Sequence, residues 1–271
     1  MTTEFYYLNG QFLPSEETKI QVSDLGLLRG YGIFDFFRSI NGKPIFLNDH
    51  LDRFENSAQI LGLKIPDRRE KLKEIINELI RLNPYRLLGI KMILTGGFSP
   101  DGYTPALESN LIMIARPFIF KDPLKAIKLM SLEYQREIPE VKTLNYTIPI
   151  KMLPSMHAIG ASDFIYHYNG LITESSRSNI FIVKNKKLFT PKSGFLAGVT
   201  RKHLIQACKR IIEVEERDIT LKETLNADEV ISTSSTQRVL AISQIDARVY
   251  NEGSIGPIAK KLQEILLQEE H

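Results

Sequence analysis

Apolar positions along this chain follow two periods, and the switches between them mark the elements. In "FYYLNGQFL" two short apolar runs flank Asn9-Gly10, a pair that accepts the left-handed backbone of a type I′ turn, so a hairpin is expected. "IFDFFRSI" and then "KPIFL" read as further strand. From Asn48 the helical period takes over: Leu51, Phe54, Ala58 and Leu61 share one face, with Asn48 as candidate cap and Gly62 as the stop. A second amphipathic helix follows Pro66 and uses Leu72, Ile75, Ile76, Leu79 and Ile80. "LLGIKMILT" and "SNLIMIARP" are strand candidates around the loop "GGFSPDGYTP".

The second half repeats this mixture. "AIKLMSLEY" reads as strand, "IKMLPSMHAIG" as helix, and "DFIYHY", "LIT", "NIFIVK" and "KLFT" as a strand series joined by turns such as Asn169-Gly170. A helix begins near Thr200, strands "EVISTS" and "VLAISQI" follow, and "PIAKKLQEILLQ" is the last helix. Strands and helices mix without strict βαβ alternation, which predicts an α+β fold. Composition shifts between Arg116 and Pro123. The expected division is therefore a small N-terminal α/β domain over 1–117, a linker over 118–122, and a larger C-terminal domain with a mixed sheet or barrel over 123–271.

Bulk properties narrow the class. A chain of 271 residues, 43% hydrophobic and 25% charged, has the composition of an ordinary globular protein. The net charge of +3 is too small and dispersed for nucleic acid. One cysteine excludes an internal disulfide, and the spacing of Cys208 from Leu204, Ile211 and Ile212 reads as a buried thiol. Five dispersed histidines (His50, His157, His167, His203 and His271) form no ligand pattern, so no metal site is expected. No apolar run reaches spanning length and no secretory signal is visible, which predicts a cytoplasmic protein without a membrane partner.

One lysine stands out. "IPEVKTLNY" sets Lys142 among apolar neighbours just after a proline. It is either a side chain snorkelling from a strand end or a partly dehydrated amine able to form a Schiff base with a carbonyl. The second reading requires partners: a carboxylate for a pyridine nitrogen and a cradle for phosphate. Glu174 in "LITESSRSN" is the candidate carboxylate, against the plainer reading of an exposed turn glutamate. "AGVTRKHLI" puts Gly198, Val199 and Thr200 at a helix start, where free N–H groups and the dipole favour anions. "STSST" (232–236) offers hydroxyls after a strand. Arg53 lies off the apolar face of its helix and by itself reads as solvated.

In order, "GIFD…HLDRFENSA…EVKTLNY…LITESSRSNIFIV…GVTRKHL…ISTSST" resembles the class IV, or fold type IV, pyridoxal-phosphate aminotransferases. That family includes branched-chain aminotransferases, D-amino-acid transaminases and 4-amino-4-deoxychorismate lyase. The resemblance runs from about Asn9 to the C-terminal helix. It implies a two-domain fold with the active site between the domains, bound pyridoxal 5'-phosphate, and a homodimer. By position, Lys142, carried by the C-terminal domain, would hold the cofactor and shuttle a proton between substrate Cα and cofactor. Glu174 would meet the pyridine nitrogen; Arg53, Val199, Thr200, Ser235 and Thr236 would bind the phosphate; Tyr146 would approach the phenolic oxygen.

Substrate recognition departs from the family. Where D-amino-acid transaminases place an arginine and a histidine to trap the substrate carboxylate, "FSPDGYTP" has Asp101 and Tyr103. "GIKMILT" also lacks the tyrosine-x-arginine pattern of branched-chain enzymes, and the usual aromatic-glutamate pair is Phe34-Asp35. Arg29, Lys91 and Arg177 are the cations left to take over beside Phe34; Lys91 reads equally as an outward-facing strand residue. This combination looks most like atypical D-amino-acid transaminases acting on D-alanine or D-glutamate and a 2-oxo acid. A branched-chain L-amino-acid aminotransferase and an aminodeoxychorismate lyase are the alternatives.

Overall fold

A computed structural model describes residues 3–120, 125–209 and 211–270. Of the expected linker and domain start, residues 121–124 lie outside the described residues. The chain forms two compact units: one runs through Ile119 and includes Val141–Asn145, the other comprises Phe120–Glu140 and the chain from Tyr146 onward. No helix among the described residues is long and apolar enough to cross a membrane.

In the first unit, β1 (Phe5–Leu8) and β2 (Gln11–Pro14) form the expected hairpin, with Asn9 at φ 44° and Gly10 at φ 96°. A short helix that periodicity does not reveal, α1 (Leu25–Arg29), is capped by Asp24, whose Oδ1 accepts from Gly26 N at 2.7 Å. β3 (Gly32–Ile40), β4 (Lys43–Pro44), α2 (Leu47–Ile60), α3 (Arg69–Leu82), β5 (Leu87–Thr95) and β6 (Asn110–Pro117) complete it. The antiparallel sheet has the order β2-β1-β6-β5-β3-β4.

Two local expectations need correction. "KPIFL" is strand only at Lys43–Pro44, because Phe46 turns left-handed (φ 53°) and α2 starts at Leu47. Asn48 therefore lies inside the first turn, and no side chain among the described residues caps that helix. The apolar stripes hold: Leu51, Phe54 and Ala58 of α2, and Leu72, Ile75, Ile76, Leu79 and Ile80 of α3, are buried.

The segment around Lys142 also differs from its expected place in the C-terminal domain. Phe34 N donates to Lys142 O at 2.9 Å and Leu144 N to Gly32 O at 3.0 Å, with Ile33 and Thr143 bridged antiparallel. These bonds extend the pairing of β3 to a strip far along the chain and bring Val141–Asn145 into the first unit.

The second unit is a nine-stranded mixed sheet of order β12-β11-β10-β13-β14-β7-β8-β9, with β15 paired to β14. Its elements are β7 (Ile127–Glu133), α4 (Thr147–Lys151), α5 (Leu153–Ala158), β8 (Asp163–Tyr168), β9 (Leu171–Ser175), β10 (Asn179–Lys184), β11 (Lys187–Thr190), α6 (Val199–Cys208), β12 (Val214–Glu216), α7 (Leu221–Leu225), β13 (Glu229–Ser234), β14 (Arg238–Ile245), β15 (Arg248–Val249) and α8 (Pro257–Glu269). "IFIV" is continuously apolar because β10 is covered on both faces. Phe181 and Val183 pack with Leu204, Cys208, Leu262 and Leu266 of α6 and α8, while Ile180 and Ile182 pack with Leu129, Ile165 and Ile242. Cys208 is buried, and burial pushes its thiol up to about 11, so it serves packing.

Candidate active site

Strand alternation sorts the residues of β3. Asp35 and Phe37 are fully buried, whereas Phe34 and Phe36 are half-buried. An acid on the buried face needs cations and donors. His50 and Arg53 of α2, three residues apart, supply them. Arg53 grips Asp35 with two bonds, Nε to Oδ2 at 2.8 Å and Nη2 to Oδ1 at 2.9 Å. The side chain of Arg53 is 11% exposed, so its solvated reading is corrected: the strand-borne acid draws it inward.

The His50 Nδ1–H donates to Asp35 Oδ1 at 2.7 Å. A carboxylate only accepts, so the proton sits on that nitrogen. Burial alone would raise the Asp35 carboxyl, but the Arg53 guanidinium and His50 outweigh it and hold the pKa well below the usual range. Burial lowers the His50 pKa against the pull of Asp35, with the Arg53 and Lys142 charges adding to it, and the ring is neutral.

Phe34 carries the other half of this site. The Lys142 amine lies 4.6 Å from the centroid of the Phe34 ring and the Lys91 amine 5.1 Å. Lys142 is half-buried, and its backbone N–H donates to Ser57 Oγ of α2 at 3.5 Å. Lys91 is an exposed side chain whose pKa is lowered by the protein against which it lies and by the nearby Arg116 charge. Arg29 ends α1, exposed, with Nη1 donating to Leu28 O at 3.4 Å. In the loop, Asp101 accepts from Ser99 Oγ and from the backbone and hydroxyl of Thr104, and these bonds hold its carboxyl well below the ordinary range. That acid fastens its own turn; Tyr103 is exposed.

The remaining candidates belong to the second unit. Glu174 is buried, not an exposed turn residue. Arg136 Nε donates to its Oε1 at 2.7 Å, and Leu196 N donates to its Oε2 at 3.1 Å. Arg136 also donates to Pro139 O. α6 starts at Val199 after Gly198, with Val199 and Thr200 buried in its first turn. β13 ends at Ser234; Ser235 is half-buried in the following turn and exposed Thr236 has Oγ1 3.1 Å from Ser234 Oγ. Tyr146 is half-buried before α4, and Arg177 is exposed between β9 and β10.

Three hydroxyls of this unit, on Tyr166, Ser175 and Thr233, are buried without a hydrogen-bond partner among the described residues. Burial raises the Tyr166 phenol, and the charges of Asp163, Tyr134, Glu174 and Tyr146 raise it further. Unpaired hydroxyls beside Glu174 (Ser175 by sequence, Tyr166 by charge) and just before the "SST" turn suit a polar ligand with an anionic group. A buried acid with its own counter-ion, and a helix start, suit the same ligand.

Reading the sequence alone missed two partners. His50 and the role of Asp35 were recoverable, because "IFDFF" puts an acid where alternation demands burial and "HLDR" offers i,i+3 partners. Arg136 carried no such signal; it meets Glu174 from 38 positions away.

A family model described as amino-transferase class IV matches residues 32–245. The chain is 33% identical over 269 residues to a putative branched-chain-amino-acid aminotransferase of Methanocaldococcus jannaschii, covering 95% of this chain and 93% of the relative. It is 28% identical over 268 residues to a D-alanine aminotransferase of Bacillus licheniformis, covering 95% and 94%. Among solved structures, the T.th. branched-chain amino acid aminotransferase complexed with N-(5'-phosphopyridoxyl)-L-glutamate superposes with a TM-score of 0.91. The identity is 28%, over 99% of this chain and 94% of that one.

Proposed function

Since this chain belongs to the class IV aminotransferases, we propose that it moves an amino group between a D-amino acid, such as D-alanine or D-glutamate, and a 2-oxo acid. The enzyme is dependent on pyridoxal phosphate and works in two half-reactions. When bound, that cofactor supplies an electron-withdrawing ring that makes the proton on the substrate Cα removable.

Lys142 anchors the cofactor and carries the proton at the substrate Cα. The observation that carries this reading is its setting: a half-buried amine, 4.6 Å over Phe34, on a backbone locked to β3. The nucleophilic form of a lysine is the neutral amine. Glu174, with Arg136 Nε 2.7 Å from its Oε1, holds the proton on the pyridine nitrogen. Arg53 and the first turn of α6 (Val199 and Thr200) take the phosphate with Ser235 and Thr236, and Tyr146 approaches the phenolic oxygen. Lys91 beside Phe34, with Arg29 and Arg177 as further cations, receives the substrate carboxylate in place of the missing loop trap. The same reading takes the enzyme as a homodimer, on the strength of the family resemblance, and places it in the cytoplasm.

Borohydride reduction of the holoenzyme followed by peptide mapping tests the anchor: the label belongs on Lys142, and a label elsewhere ends the assignment. A second reading, a branched-chain L-amino-acid aminotransferase, is favoured by the archaeal relative and by the superposed structure. Single-turnover spectra with D-alanine, D-glutamate and L-leucine separate the two. Conversion by L-leucine alone would defeat the D-specific proposal.

A further inference from the structure

Asn179, the first residue of β10, touches both halves of the cofactor machinery in the second unit. Its Nδ2 donates to Leu196 O at 2.8 Å, and the N–H of that same residue, Leu196, donates to Glu174 Oε2 at 3.1 Å. A carbonyl only accepts, so the amide orientation is fixed and Oδ1 faces the other way, towards Gly198. The approach there is close: a Cβ on Gly198 would lie 2.0 Å from Asn179 Oδ1. Gly198 has an ordinary extended backbone (φ −71°, ψ 131°), so glycine is needed there for space and not for its dihedral angles. Across the sheet, Asn179 is in register with Thr233, just before the turn that carries Ser235 and Thr236.

We infer that Asn179 is a positioning residue that, through Leu196, sets the spacing between the Glu174 carboxylate and the anion-binding start of α6. Resting on the roles given above to Glu174 and α6, the inference adds that these two are one braced unit: displacing either moves the other. Asn179 is itself buried, so its amide cannot be replaced by water without opening the sheet.

The test compares full-length Asn179→Ala, Gly198→Ala and Glu174→Gln with the parent enzyme. For each, apoprotein is titrated with pyridoxal phosphate and with phosphate-free pyridoxal, and the pH dependence of the bound cofactor's absorbance is recorded. Asn179→Ala is expected to weaken pyridoxal phosphate binding roughly 10- to 100-fold, as loss of a buried bond implies. It should narrow the preference over pyridoxal and shift the absorbance profile in the direction that Glu174→Gln shifts it. Gly198→Ala, which crowds the same amide from the other side, should reproduce both changes. Weakened binding with an unmoved absorbance profile overturns the coupling, because a purely local role at the helix start predicts that pattern. Unchanged binding and absorbance in Asn179→Ala, or in Gly198→Ala should the first fail to fold, also overturn it. If Glu174→Gln leaves the profile untouched as well, the underlying assignment of Glu174 falls instead.

Discussion

Asp35 with Arg53 in the first unit and Glu174 with Arg136 in the second are both buried acid–arginine pairs, and the two are built for opposite ends. In the first, Asp35 spends both oxygens on Arg53 and adds His50; two side chains close around a fully buried acid. In the second, one oxygen of Glu174 accepts from Arg136 Nε and the other from the peptide N–H of Leu196. A bidentate fork fixes the arginine's plane, so Asp35 serves Arg53 and hands it over pre-oriented. Where an arginine nitrogen and a peptide N–H each hold one oxygen, it is the carboxylate that is oriented, so Arg136 serves Glu174. Identical chemistry yields a clamp in one place and a poised acceptor in the other.

The sharpest way to break that contrast is to remove both acids. Asp35→Ala strands a buried guanidinium and should destabilise the protein by about 3–5 kcal/mol, read from urea unfolding. Because the folded pKa values of Asp35 and His50 both lie below their ordinary 3.8 and 6.5, the unfolded chain binds more protons in acid. The stability contributed by the cluster is therefore complete above 6.5 and is lost as pH falls, first through His50 and then, below 3.8, through Asp35. A parent unfolding midpoint that does not move over that range would contradict the cluster.

Glu174→Gln should do the reverse. Turnover falls by about 10²–10³-fold, while urea stability changes less than in Asp35→Ala. Arg136→Gln should cost turnover about 1.5–3 kcal/mol, the worth of a charged hydrogen bond, with Arg136→Lys recovering part of it. If Arg136→Gln unfolded the protein without slowing the surviving enzyme, the distinction between clamp and acceptor would disappear. The smallest effect is expected at the exposed cation: Lys91→Met should raise the substrate KM about two- to fivefold with little change in kcat, as loss of one partly solvated charge contact predicts. An unchanged KM would remove Lys91 from substrate binding.

Much of this was legible before any coordinates. Asn9-Gly10 announced its hairpin through the one backbone conformation that the pair favours, and "LLGIKMILT" and "DFIYHY" matched β5 and β8 residue for residue. The stripes of α2 and α3 were readable because burial on one helix face is a local property of spacing. What failed depended on distant or unusual backbone. Phe46 in a left-handed turn ended a strand and displaced the cap from Asn48. The bonds from Val141–Asn145 to β3 join residues more than a hundred positions apart, and no spacing rule reveals such a pairing. Among the candidate site residues, Glu174 and Arg53 were read from the sequence with the wrong surroundings, because Arg136 and Asp35 reach them only through the fold.

That strip of five residues has a consequence for how such enzymes can be recombined. The chain leaves the first unit after Ile119, returns for Val141–Asn145, and leaves again. A hybrid spliced at the apparent joint near residue 120 takes the Lys142 amine from one parent and the aromatic ring beside it, Phe34, from the other. Successful exchange must carry Gly32–Phe34 and Val141–Asn145 as a linked pair, so crossovers at that joint should breed well-folded hybrids that turn over poorly.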